Sequence, residues 1–393
     1  MAALHRGPSL SPRSLVASGP GFDRFVRSHT EYEYAYYRSG KWAFRDALDL
    51  AMAARNGSEV VLPAYIPDGF VEPIREAGLT PRFHRMRADL RPDLGDVRSL
   101  VDGDTLAVVS VGYFGKPQPI EVNEALRSLC DAHGAVLVDD AAHGAFSVGE
   151  GGLAGTVGHL GFASLHKALP IPDGAVLYVA DEALRGTLPR SAVASRPASG
   201  DLRYLASSAL TRARRSIGST TRRRSAGQSS PPTPSTRNPR ALYRRSKGEM
   251  SWLSARVARR VDPAAVRRRR RENYAVWERL FSERPGLAQV YPSLGVETCP
   301  QYYPTVLTDL AEPVAVLGQP WPPLPDEVRD NDRFAVTNHL AACLYTFPVH
   351  QDLEPATIEA AIDRAIEVEA GGSDADRPTT PVAVSLPGSA RER

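Results

Sequence analysis

Cysteine is scarce in this chain: three residues in 393, Cys130, Cys299 and Cys343, with no spacing that suits a metal or a disulfide framework. That excludes the small disulfide-stapled scaffolds and the structural zinc modules, and it makes a reducing cytoplasm the expected compartment. No apolar run approaches the ~20 residues of a membrane span, and the N-terminus has no signal-peptide core. Charge of one sign is also lacking overall. The 48 Lys and Arg against 45 Asp and Glu leave a formal charge of +3, and no helix-turn-helix, zinc-finger or RNA-binding signature accompanies the arginine runs. Membrane and nucleic acid are therefore not the expected partners. With 42% hydrophobic residues, the chain can bury a core large enough for two domains.

What the chain does have is concentrated between Val136 and Leu177. The apolar run Val136-Leu137-Val138 ends on two carboxylates, Asp139 and Asp140, followed by Ala141, Ala142 and His143. A second run, from Phe162 to Leu165, ends on Lys167. Runs of this kind read as strands buried on both faces, and ligands of open α/β sheets gather beyond such strand ends. An acid and an amine placed there suit pyridoxal 5'-phosphate (PLP), which needs a lysine for its aldehyde and an anion for its ring nitrogen. Lys167 is the candidate for the first role and Asp140 for the second. Taken singly, a surface lysine and a capping aspartate are the better readings; only the pair is specific.

The motif VLVDDAAH with the later SLHK resembles the DegT/StrS family of sugar aminotransferases. The resemblance implies PLP as cofactor, PLP-dependent transferase fold type I, and a large domain with a mainly parallel sheet plus a smaller C-terminal α/β domain. It also assigns roles. Asp140 meets the pyridine nitrogen, His143 stacks on the ring or meets its phenolic oxygen, Ser164 contacts phosphate, and Lys167 carries the cofactor.

Upstream, Ser39-Gly40 precedes a segment whose apolar spacing is helical from Trp42 onward. A helix N-terminus suits a phosphate, though Ser-Gly at that place is more often an ordinary cap. The family places its first phosphate-binding turn there, which implicates Gly40, Lys41 and Trp42. A strand-helix-strand unit follows over residues 58–86. The family lets residues just after Pro63 wall the cofactor, so Tyr65 is the candidate, while Pro67 stands where some members carry a ring-stacking aromatic and leaves the second face of the ring unassigned. Tyr113, in the turn after the run 105–111, reads equally as a site residue or a packed turn aromatic. After Lys167 the family's Gly-Glu-Gly-Gly turn is replaced by Ile171-Pro172-Asp173-Gly174.

The division expected along the chain is a flexible leader (1–30), a large PLP-binding domain (31–205), a basic low-complexity insertion or linker (206–250), a C-terminal small domain with a bridging helix (251–370) and a disordered tail (371–393). Residues 216–239 bury too little apolar area to offset their ordering entropy. The arginines 267–271 belong to a different context, since Val266, Tyr274, Trp277 and Phe281 stand at helical spacing. Trp321 and His350 are candidates to approach substrate or to pack.

The resemblance implies transfer of an amino group from an amino acid, usually glutamate, to a keto-sugar that is usually nucleotide-linked, by a homodimer whose subunits share the site. Other readings remain open: PLP-dependent sugar dehydration, in which relatives replace the lysine by histidine; amination of a cyclitol; or a non-catalytic binding protein that uses the basic segment.

Overall fold

The computed structural model describes residues 4, 7–184, 188, 192–217, 239–282, 284–308 and 313–371. Two short helices open the chain, α1 (Pro12–Val16) and α2 (Phe22–Arg27). They correct the expectation of a flexible leader over its described part. Phe22, Phe25 and Val26 are buried, Phe22 and Phe25 pack edge-on against Phe146 at 5.9 and 5.8 Å, and the hydroxyls of Tyr34 and Tyr36 donate to Asp23 at 2.6 and 2.7 Å. Three apolar side chains at i, i+3 and i+4 dock a helix too short to stand out against its polar surroundings.

The main body alternates strand and helix: β1 (Glu33–Tyr37), α3 (Gly40–Ala54), β2 (Glu59–Pro63), α4 (Glu72–Glu76), β3 (Thr80–His84), α5 (Leu94–Leu100), β4 (Thr105–Val111), α6 (Ile120–His133) and β5 (Val136–Ala141). A small hairpin, β6 (Val148–Gly149) with β7 (Gly152–Leu153), leads to β8 (Leu160–Ala163), the single turn α7 (Leu165–Ala168) and β9 (Ala175–Val179). The large sheet has seven strands in the order β1-β9-β8-β5-β4-β2-β3. β3, β2, β4, β5 and β8 run parallel; at one edge β9 runs against them, and β1, antiparallel to β9, returns to their direction. Strands β4, β5, β8 and β9 are buried at every position, which is why they read as continuous apolar runs and not as alternating ones.

Beyond the sheet come α8 (Ser199–Ile217), α9 (Pro239–Arg245), α10 (Trp252–Ala258) and the long α11 (Pro263–Ser282). The basic stretch expected as an insertion is thus helical at both described ends, and residues 218–238 lie outside the described residues. Its C-terminal end is docked: Tyr243 is buried, its hydroxyl donates to Glu76 at 2.6 Å, Lys247 pairs with the same carboxylate at 2.6 Å, and Met250 is fully buried. A second sheet of four strands, β10 (Leu287–Gln289), β11 (Tyr302–Leu307), β12 (Gln319–Pro320) and β13 (Leu344–Pro348), has the order β10-β11-β13-β12 and is antiparallel throughout. Helix α12 (Ala335–Cys343) leads into β13, and α13 (Pro355–Gly371) packs on α11. The expected tail beyond Gly371 lies outside the described residues. Val266, Tyr274, Trp277 and Phe281 of α11 are buried, as their spacing predicts. No helix among the described residues is long and apolar enough to cross a membrane.

Candidate active site

Adjacent parallel strands place the acid and the amine. Asp140 on β5 is in register with Phe162 on β8 and Val111 on β4, so the carboxylate leaves the middle of the sheet at its C-terminal end. Lys167 follows within the turn after β8. Asp140 accepts the Ala142 N–H at 2.8 Å through Oδ1. Burial pushes its carboxyl up to about 6, against the pull of the Lys167 charge and of that N–H. Burial likewise pushes the Lys167 amine down to about 8, with Asp140 opposing and the Lys41 ammonium adding to the fall. Each charge is poorly solvated and leans on the other. Asp139, one residue back, is turned to a different task. It accepts the N–H groups of Gly155 at 2.8 Å and Val157 at 3.4 Å and, through burial, titrates near 7.

His143 is held by the turn after β4. The Phe114 N–H donates to its Nδ1 at 3.1 Å, so the ring proton resides on Nε2, and the Phe114 ring lies parallel to it at 5.9 Å. Burial, then the Lys167 charge, keeps the imidazole well below its ordinary range and therefore neutral. Phe114 reaches this position with φ of 55°, a conformation few side chains adopt, and Gln301 fixes it by donating its N–H to the Phe114 carbonyl at 2.8 Å.

The N-terminus of α3 supplies the third component. Ser39 is its N-cap and accepts the Trp42 N–H at 3.2 Å, which leaves Gly40 and Lys41 as the first free amides of the helix. Trp42's amide therefore serves the cap, and its ring lies under the Lys247 ammonium at 4.7 Å. Gly40 meets the strand carrying the other candidate: a Cβ there would stand 2.5 Å from Ser164 Oγ. Only glycine lets helix and hydroxyl approach so closely. The Lys41 ammonium stands by the turn at Gly69, its amine lowered by burial against the charges of Glu72 and Asp68.

Aromatic groups complete the surroundings. Tyr65 is fully buried and stacks on Trp321 at 4.3 Å and 19°, and Trp321 in turn stands edge-on to Phe114 at 5.6 Å and to His143 at 6.5 Å. Tyr113 spends its hydroxyl on the Tyr65 carbonyl at 2.7 Å, a packing role. Tyr65 Oη and Trp321 Nε1 are shut off from water and have no hydrogen-bond partner among the described residues. Buried polar atoms of that kind are rare unless a bound group answers them. Sequence reasoning missed Phe114, whose positive φ leaves no local signal. It could not rank Trp321, which comes from the second sheet.

An acid at the end of a central parallel strand, a lysine just past its neighbour and a free helix N-terminus beside a serine match the donor set that PLP requires. Solved aminotransferases share the fold. The aminotransferase TlmJ from Streptoalloteichus hindustanus superposes with a TM-score of 0.64 at 20% identity over 94% of this chain and 99% of that one. Spr1654 from Streptococcus pneumoniae, solved in its PLP form, superposes with a TM-score of 0.66 at 15% identity over 94% and 99%. Residues 16–197 match the model of the DegT/DnrJ/EryC1/StrS aminotransferase family. The GDP-perosamine synthase of Vibrio cholerae is 29% identical over 164 residues, 41% of this chain and 44% of that protein's length.

Proposed function

We propose that this protein is a PLP-dependent sugar aminotransferase that takes an amino group from an amino acid, L-glutamate in the first instance, and delivers it to a keto-sugar carried on a nucleotide. The observation that carries the reading is the buried Asp140–Lys167 pair beside the free amides of α3. The family domain, the similarity to a GDP-perosamine synthase and the fold shared with solved aminotransferases support it.

The residues divide the work. Lys167, with its amine already lowered to about 8, is neutral to about a tenth at pH 7, far more than an ordinary lysine, for attack on an aldehyde, and once released it can carry a proton as general base and acid. Asp140 would hold the pyridine nitrogen protonated; a buried carboxylate does so more strongly than an exposed one because little water screens it. Neutral His143, its Nδ1 occupied by Phe114, presents an Nε2–H donor and a flat face. Gly40, Lys41 and Ser164 would receive the phosphate. When bound, PLP supplies the electron sink that stabilises a carbanion, and the protein supplies orientation and charge. Tyr65 Oη and Trp321 Nε1 are the donors left for cofactor or sugar hydroxyls, and retention of Lys167 favours amination over dehydration.

The test is an absorbance spectrum of the purified chain with PLP, before and after L-glutamate, followed by GDP- and TDP-linked keto-hexoses with mass detection. A visible band that glutamate converts to a near-ultraviolet one, and an aminated nucleotide sugar, are expected. Absence of any visible band overturns the reading.

A further inference from the structure

The turn that carries Lys167 is one helical turn long, and the last carbonyls of any helix lack donors of their own. The Ala168 carbonyl, directly after the lysine, receives two. Arg270 Nη2 donates at 2.9 Å and Gln351 Nε2 at 3.0 Å. The rest of the Arg270 fork is equally committed: Nη1 donates to the Pro300 carbonyl at 3.1 Å and Nε to Gln351 Oε1 at 3.0 Å. One guanidinium thus joins the lysine turn of the large sheet, the loop before β11 and the loop after β13.

Arg270 is 1% exposed, and no ion pair joins it to a carboxylate among the described residues. A guanidinium buried among neutral acceptors is costly, and a hydrophobic residue of similar volume would fill the space with less desolvation. What such a residue cannot do is fix two backbone carbonyls and the Gln351 side chain at once with a planar fork. Among the described residues, none of its neighbours in the run donates to the lysine turn: Arg271 donates to the Gly295 and Thr298 carbonyls at 2.6 and 3.2 Å, and Arg268 is exposed and pairs with Glu272 at 4.0 Å. One and two turns along the same face of α11, Asn273 Nδ2 donates to the carbonyls of Val349, His350 and Leu353 at 3.3, 3.0 and 3.1 Å, and Trp277 Nε1 to that of Pro348 at 2.9 Å. The segment that presents Gln351 is therefore itself held rigidly.

We propose that Arg270 is a positioning residue for Lys167: through the Ala168 carbonyl, with Gln351 as its second arm, it fixes the lysine turn against the C-terminal sheet and so keeps the amine facing Asp140. The proposal rests on the reading of Lys167 as the cofactor's lysine, and its first readout needs no cofactor.

In the apo-protein, the pH dependence of Lys167 acetylation by acetic anhydride, followed by mass spectrometry of its peptide, reports how buried and how paired the amine is. Arg270→Met should move the midpoint upward by about one unit or more toward the ordinary lysine value. It should also slow covalent capture of PLP, trapped with borohydride, at least tenfold, whereas Arg268→Met should change neither. In turnover, kcat should fall ~10–100-fold with the KM for L-glutamate nearly constant, since a misplaced group harms the reacting geometry more than binding. A folded Arg270→Met protein with an unchanged acetylation profile overturns the proposal. If Arg270→Met does not fold by circular dichroism, Gln351→Leu decides: a smaller shift in the same direction supports the clamp, and an unchanged profile overturns it. A shifted profile in a protein that never transaminates glutamate leaves the clamp standing and removes the aminotransferase reading.

Discussion

Asp140 and Lys167 each titrate closer to neutral pH than they would in water, and the consequences can be measured residue by residue. Lys167→Ala should abolish borohydride-trappable PLP. Asp140→Asn should keep the trapped adduct but lower the glutamate half-reaction by at least about 100-fold, because a neutral amide cannot hold the ring nitrogen protonated. Titration of Asp140 also has a stability signature. Its carboxyl sits at about 6 in the folded protein against an ordinary 3.8, so its contribution is fully present below about pH 4 and is lost as pH rises through about 6. Apo-protein carrying Asp140→Asn should therefore be more stable than wild type by about 1–3 kcal/mol at pH 8 and show no such gain at pH 4, by thermal melts at both values. A melting temperature that falls at pH 8 would mean that the carboxylate is paired more strongly than its burial is costly.

On the proposed reading, the element that would decide cofactor affinity is the first turn of α3. Its helical spacing and the Ser39 cap are visible in the sequence, but the approach of Gly40 to Ser164 is made by sheet and helix together. Gly40→Ala places a methyl group 2.5 Å from Ser164 Oγ and should weaken PLP binding at least tenfold in an absorbance titration while changing stability by less than about 1 kcal/mol. Ser39→Ala removes the cap and should cost about 1 kcal/mol of stability, with a smaller loss of PLP affinity. Equal affinities for Gly40→Ala and wild type would place the phosphate elsewhere.

Across the molecule, the hydrophobic core extends into segments whose composition argued for disorder. Phe22 on α2 is fully buried against Phe146, so Phe22→Ala should destabilise the protein by about 3–5 kcal/mol in urea unfolding. Truncation of residues 1–30 should be comparably harmful. A freely mobile leader would tolerate both changes. At the same scale, α11 ties the two sheets: its arginine run reads as five equivalent cations in sequence, yet one is buried as a clamp and another is exposed.

By itself the sequence determined the buried strands β4, β5 and β8, the helix α3 with its cap, and the placement of Asp140 and Lys167 at neighbouring strand ends, because each of these follows from local periodicity or from chemistry carried at a strand end. Tertiary structure alone decided which groups surround that pair. Trp321 arrives from the second sheet to stack on Tyr65, Phe114 takes a positive φ to hold His143, and Arg270 crosses from α11 to the carbonyl beside the lysine. Those contacts join residues far apart in the chain, and a side chain's burial depends on what packs over it, which no local pattern records. The docking of α2 and of Tyr243 was hidden for the same reason: a few apolar side chains in a polar segment become core only where a complementary surface meets them.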